Sequence, residues 1–214
     1  MASPLTTARN KYFRNRKSND IKTPLLICEF LCELLSPALD KRKLIIDVGC
    51  GDGRLSERFE HKYWTVLGID IKKSRKLKLK NFFKLDFLKM NVTCLLSMGD
   101  YNCLLNPALV IFNPPFNNKS TGKKLIPEMW IRKTFEIWGD KIPLVSFAPM
   151  GFRLNQRIYS KRWRYFRDEC KAEITSIISL PLNVFKNVEF HAEILIWNIP
   201  KLKAHYWLSK KCLE

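Results

Sequence analysis

No apolar run in this chain approaches the length needed to span a bilayer. Residues Met1 to Lys22 carry charge but no hydrophobic stretch, which excludes a secretory signal. The cysteines (Cys28, Cys32, Cys50, Cys94, Cys103, Cys170, Cys212) are scattered and odd in number, with no C-x-x-C and no nearby histidine pair, so no zinc site or other metal is expected. That usage fits a reducing, intracellular setting. Repeats, low-complexity tracts and linkers are missing too, so the chain reads as one domain, with 214 residues and 46% apolar content enough for a full core. The shortage that matters most is of acid. Asp and Glu number 20 against 38 Lys and Arg, a formal charge of +18. Such an excess favours a polyanionic partner and argues against a small-molecule substrate.

What is present alternates strand and helix. Apolar runs predict strands over Leu44–Val48, Thr65–Ile71, Phe82–Phe87, Leu109–Asn113, Pro143–Ala148, Ile174–Leu180 and Glu193–Asn198. Helices are expected over Leu25–Leu35, Arg54–Glu60, Lys72–Lys80, Pro127–Trp138 and Tyr159–Cys170. Strands separated by helical stretches imply parallel βαβ units with helices on both faces, a Rossmann-like doubly wound α/β fold with seven strands. The link Pro181 to His191 is too short for a helical crossover, so the last strand is expected to run antiparallel. Residues 1–22 read as a basic arm, 23–200 as the domain and 201–214 as a C-terminal tail.

Two motifs carry chemistry. The strand ending at Val48 runs into Gly49-Cys50-Gly51-Asp52-Gly53, a turn whose glycines let the backbone bend and approach a ligand closely. The third glycine falls one place too early for the dinucleotide G-x-G-x-x-G, which weakens an NAD-dependent oxidoreductase reading. The next strand places Asp70 beside Ile71 about 20 residues further on, a spacing suited to a carboxylate that accepts from ribose hydroxyls. A third strand ends on Asp86 and Phe87, an acid and a ring suited to an adenine amino group and its face. The second motif is Asn113-Pro114-Pro115-Phe116, which closes the run Ala108–Phe112. The Asn113 amide oxygen and the Pro114 carbonyl are two acceptors, and Phe116 is a plate, a set that suits a planar aromatic amine. A rigid turn ending a strand is the plainer reading of the same residues.

In that order, from about Lys22 to Pro200, the motifs resemble those of class I S-adenosylmethionine-dependent methyltransferases, in particular the amino-methyltransferases with an Asn-Pro-Pro-aromatic signature. The resemblance implies that Asp47, Gly49, Gly51 and Gly53 bind S-adenosylmethionine, with Asp70 and Ile71 at its ribose and Asp86 and Phe87 at its adenine. It implies that Thr23 and Pro24, at the start of the first helix, lie beside the methionine part of the cofactor. Asn113 through Phe116 would then hold the target amine, with Asn113 also near the cofactor, and Phe185 is either the second face of a base sandwich or a core phenylalanine near a strand end. The substrates implied are N6 of adenine in DNA, favoured by Thr23-Pro24 and by the Leu180–Trp197 segment, or adenine-N6 or guanine-N2 of structured RNA. A methyltransferase-fold subunit that binds nucleic acid without turnover is a more remote alternative.

Charge adds the partner. Arg153, Arg157, Lys161, Arg162 and Arg164 alternate with Tyr159, Trp163, Tyr165 and Phe166, a mixture suited to phosphate contacts and base stacking. Lys72 to Lys80 carries Lys72, Lys73, Arg75, Lys76, Lys78 and Lys80 and reads instead as a solvated helix face. The expected partner is nucleic acid, with a partner protein as one route to target recognition, in a cytoplasmic or nucleoid-associated setting.

Overall fold

The computed structural model of the chain describes residues 22–40, 43–62, 64–97, 104–116, 125–154, 157, 159–182, 184–185 and 191–209. The basic arm before residue 22 lies outside them. Eight strands form one sheet: β1 Ile45–Val48, β2 Val66–Asp70, β3 Asn81–Lys84, β4 Leu109–Phe112, β5 Leu144–Pro149, β6 Ile174–Ser179, β7 Ala192–Trp197 and β8 His205–Trp207. Their order is β3-β2-β1-β4-β5-β7-β6-β8. Strands β1 to β5 pair in parallel, and β7 runs antiparallel to both β5 and β6, as the short link before it requires. Every residue of β1 and β4 is buried, the pattern of central strands covered on both faces.

One face packs Ile45, Leu109, Ile111, Val145 and Phe147 against helix α1 (Leu25–Leu35) and helix α2 (Glu57–Lys62). Helix α1 buries Ile27, Cys28, Leu31, Cys32 and Leu35, the three-and-four spacing of one helical stripe. Short helix α3 (Val92–Leu96) and a 3-10 turn (Phe87–Lys89) follow β3. On the opposite face Ile46, Val48, Val110, Phe112 and Leu144 meet helix α4 (Ile126–Trp138) through Ile131 and Phe135. Pro127 opens α4, where a missing N–H costs nothing, and Gly139 closes it at φ +82°. A single turn α5 (Gly151–Leu154) leads to α6 (Lys161–Arg164), which widens into a π-helical turn over Tyr165–Glu169. The Cys170 N–H donating to the Tyr165 carbonyl at 2.8 Å closes that wider ring. Among the described residues no helix is long and apolar enough to cross a membrane.

Three expectations are corrected. Residues 71–80 form no helix: Lys72, Lys76 and Lys80 would stack like charges at four-residue spacing, and Leu79 is instead drawn into the core. Strand β3 ends at Lys84, before Asp86. Residues read as a C-terminal tail contribute β8, parallel to β6. That strand is only three residues long, with Tyr206 alone facing the α1 side, where its ring meets Phe30 edge-on at 6.1 Å.

Candidate functional site

Strand register assembles the site. Val48 pairs with both Ile69 and Phe112. Gly49, Asp70 and Asn113 therefore stand side by side just past the carboxyl ends of β1, β2 and β4, where open α/β sheets bind ligands. The turn is fixed from below by Gly49 and Cys50 N–H groups donating to the Ile69 carbonyl at 2.7 and 3.2 Å. Gly49, Gly51 and Gly53 have φ of +66°, +56° and +81°, a region that penalises any Cβ. The reasons for glycine differ along the turn. A Cβ on Gly49 would lie 2.6 Å from the Trp130 ring, and one on Gly53 2.6 Å from Leu79 Cγ. One on Gly51 would meet nothing within 4 Å. Gly49 and Gly53 thus serve packing, while Gly51 faces open space.

Three acids surround the turn. Asp70 Oδ2 accepts from Gly51 N–H at 3.0 Å and Oδ1 from Lys72 N–H at 3.1 Å, so one carboxylate ties the glycine turn to the basic loop after β2. Beside it Ile71 is 57% exposed, an apolar side chain held in solvent just past the end of β2. Asp47 is buried and accepts from Ser56 Oγ at 2.6 Å. Burial pushes its carboxyl up to about 7, the Ser56 hydrogen bond opposing and the charges of Asp70 and Asp52 adding to the rise. Partial burial also raises Asp52, but ion pairs with Arg54 (2.9 Å) and Lys22 (3.1 Å) outweigh it and hold that carboxyl below the usual range. Burial drives the neighbouring thiols of Cys28 (to about 12) and Cys50 upward, with Asp47 adding to both, which makes them packing residues rather than nucleophiles.

Asn113 is held from far along the chain. Its Nδ2 donates to Thr23 Oγ1 at 3.0 Å, which turns Oδ1 the other way as a spare acceptor. Thr23 is buried, and the carbonyl of Pro24 accepts from the Ile27 and Cys28 N–H groups, so the start of α1 is locked against this loop. Pro114 is buried and Pro115 half-buried.

The expected aromatic plates are placed differently. Phe116 is 8% exposed within the same core cluster as Phe147 and Phe185. Phe185 meets Phe147 edge-on at 6.2 Å, so neither expected stacking ring offers an open face here. Asp86 caps the 3-10 turn by accepting from Leu88 N–H at 3.1 Å. Phe87 lies in the core, 3% exposed, between Trp130 (5.4 Å, edge-on) and Trp138 (6.3 Å, stacked). It props Trp130. Half-buried Trp130 also meets Phe112 edge-on at 5.6 Å and touches the Gly49 position, making it the site residue that sequence reasoning missed. Its only sequence signal was its place on the apolar stripe of α4.

The expected nucleic-acid segment divides. Arg153 pairs at 3.2 Å with Glu193, a fully buried acid whose carboxyl is raised by burial against the pull of Arg153. Arg162 is spent on Glu128, on the Phe152 carbonyl at 3.3 Å and on the Phe152 ring. Arg157, Lys161 and Arg164 remain exposed. Tyr165 lies under the Arg132 guanidinium at 3.6 Å, and Tyr159 is 86% exposed. A hollow of ≈ 540 Å³ between α4 and α6, lined by Glu128, Arg132, Lys161, Arg164, Tyr165 and Asp168, is separate from the glycine turn.

No protein-family model and no curated protein sequence matches this chain. Solved structures do. A Listeria monocytogenes protein provisionally named a class I S-adenosylmethionine-dependent methyltransferase is 19% identical, with TM-score 0.66 over 96% of this chain and 72% of that one. The methyltransferase subunit of a type I restriction-modification system from Streptococcus thermophilus is 16% identical, with TM-score 0.57 over 92% of this chain and 48% of its own. A Pyrococcus horikoshii protein provisionally named an RNA methyltransferase is 18% identical, with TM-score 0.56 over 95% of this chain and 100% of that one. This chain spans about half the length of the type I subunit. At these identities the likeness establishes the fold alone, a Rossmann-like, mostly parallel α/β sheet.

Proposed function

We propose that this chain transfers a methyl group from S-adenosylmethionine to the exocyclic N6 of adenine in DNA. The observation that carries the reading is the register pairing Val48 with Phe112, which sets Asn113 beside the glycine turn. The residues fit the cofactor. Gly51 leaves an open cradle, Asp70 offers a carboxylate and Ile71 an exposed apolar edge. Each Asp70 oxygen accepts one N–H, from Gly51 or Lys72, and keeps a further lone pair that would take a ribose hydroxyl. S-adenosylmethionine supplies an already activated sulfonium methyl, so the protein's task is chiefly in-line alignment.

An aromatic amine is a poor nucleophile because its lone pair is delocalised into the ring. Accepting its two protons at Asn113 Oδ1 and the Pro114 carbonyl favours a pyramidal nitrogen with a localised pair. Those contacts strengthen toward the transition state and so lower the barrier. Thr23 makes the arrangement directional: by occupying Asn113 Nδ2 it presents Oδ1 to the substrate. Asn113 does not act as a base, and the proton leaves to solvent after transfer. The target base must be unpaired or flipped to reach Asn113. The net charge of +18 suits a nucleic acid throughout. Structured RNA is the second reading, favoured by the Pyrococcus horikoshii likeness over that chain's full length.

Incubation with methyl-labelled S-adenosylmethionine and separate DNA, rRNA and protein pools, followed by nucleoside analysis, tests the proposal. Label in N6-methyladenine of DNA is expected. Label in RNA alone moves the reading to its second form, and label in protein alone overturns both.

A further inference from the structure

The loop that replaces the expected helix after β2 gathers cations with little to neutralise them. Lys72, Lys73, Arg75, Lys76, Lys78 and Lys80 are all exposed. Among the described residues only Lys78 forms an ion pair, with Glu57 at 2.9 Å; Lys72, Lys73, Arg75 and Lys76 form none. In the other basic segment Arg153, Arg162 and Arg167 are matched by Glu193, Glu128 and Asp168, while Arg157, Lys161 and Arg164 stay exposed.

The loop is also anchored. Leu79 fills the notch left by Gly53 and Gly68, and Leu77 packs against the same core. The Lys78 N–H donates to the Asp52 carbonyl at 3.1 Å, and the Asp70 carboxylate holds Lys72 N–H. Like charges held close on a fixed backbone repel one another in the free protein, and a polyanion relieves that repulsion at little cost in ordering. The position suits the candidate site. The loop leaves the sheet at the carboxyl end of β2, two strands and about 10 Å across from β4, which carries Asn113. Arg157, Lys161 and Arg164 follow β5, on the other side of Asn113.

We propose that residues 72–76 bind the phosphate backbone of DNA flanking the target base. The inference rests on the DNA reading above and adds to it a surface that sequence patterning assigned to solvent. The test uses the full chain and a fluorescent DNA duplex, with anisotropy read between about 50 and 200 mM salt and no methyl donor present. The variant combines Lys73→Ala, Arg75→Ala and Lys76→Ala. Each lost phosphate contact flattens the logarithmic salt slope by about 0.9. Three contacts predict that wild-type affinity falls about fortyfold more than the variant's across that range. A charge-preserving variant (Lys73→Arg, Arg75→Lys, Lys76→Arg) should keep the wild-type slope, and unchanged unfolding midpoints should show that both variants fold.

Equal slopes for wild type and the alanine variant overturn the proposal. So does a slope change seen only with an RNA hairpin, or binding to anionic vesicles in place of DNA. Labelled N6-methyladenine in DNA together with equal slopes defeats the loop alone. The predicted slope change without any methyl transfer leaves the loop standing and defeats the catalytic reading.

Discussion

Replacing Gly51 by alanine separates a ligand cradle from a packing turn. Gly51 has φ +56° and no atom within 4 Å of where a Cβ would sit. Its cost to the fold is then the left-handed strain alone, about 1–2 kcal/mol. In a domain of this size that lowers the unfolding midpoint by roughly 2–8 °C. Gly49→Ala meets the same strain and a clash as well, because its Cβ would lie 2.6 and 3.0 Å from two carbons of the Trp130 ring. Phe87 and Phe112 pack edge-on against that ring at 5.4 and 5.6 Å, which limits its retreat. Overpacking of this kind adds about 1–3 kcal/mol, for a total of roughly 2–5 kcal/mol. Binding should order the two variants the other way relative to stability. If Gly51 faces the cofactor, its new methyl occupies ligand space and weakens S-adenosylmethionine by tenfold or more, at least about 1.4 kcal/mol. Circular dichroism melting and calorimetric titration give the two readouts. Cofactor affinity unchanged in Gly51→Ala would refute the reasoning.

Asn113→Ala should cut turnover far more than cofactor affinity; equal losses would mean that the residue holds the fold instead. Thr23→Val removes the donor–acceptor pair that orients Asn113, so kcat should fall while the affinity for S-adenosylmethionine changes little; unchanged kcat would remove Thr23 from the site. Asp47 predicts a pH signature. Its folded carboxyl stays protonated up to about 7, against an ordinary value of 3.8. The native state therefore binds more protons between those values. The stabilisation is complete below about pH 4 and lost as pH rises through about 7, by about 4 kcal/mol at 1.36 kcal/mol per pKa unit. Asp47→Asn should abolish that difference in urea unfolding, whereas parallel curves for the two proteins would show that Asp47 does not titrate there.

Local chemistry and spacing determined much of this protein. Short apolar runs could bury themselves only as central strands, and the brief link before β7 left it no route but reversal. Glycines after Val48 and the acid at Asp70 marked the carboxyl edge before any contact was known. Asn113 stood out because proline ends a strand wherever it falls. Tertiary structure decided what those residues face. Phe87 and Phe185 look like ligand plates in sequence, yet burial gains more from packing them against Trp130, Trp138 and Phe147. The carboxylates that claim Arg153 and Arg162 lie 40 and 34 residues away in sequence, beyond the reach of local patterning. Residues 72–80 have helical composition, but repulsion among their lysines and the notch awaiting Leu79 favour a loop. Distance along the chain is the common cause: sequence records what a residue can do, and only the folded neighbourhood records what is left for it to touch.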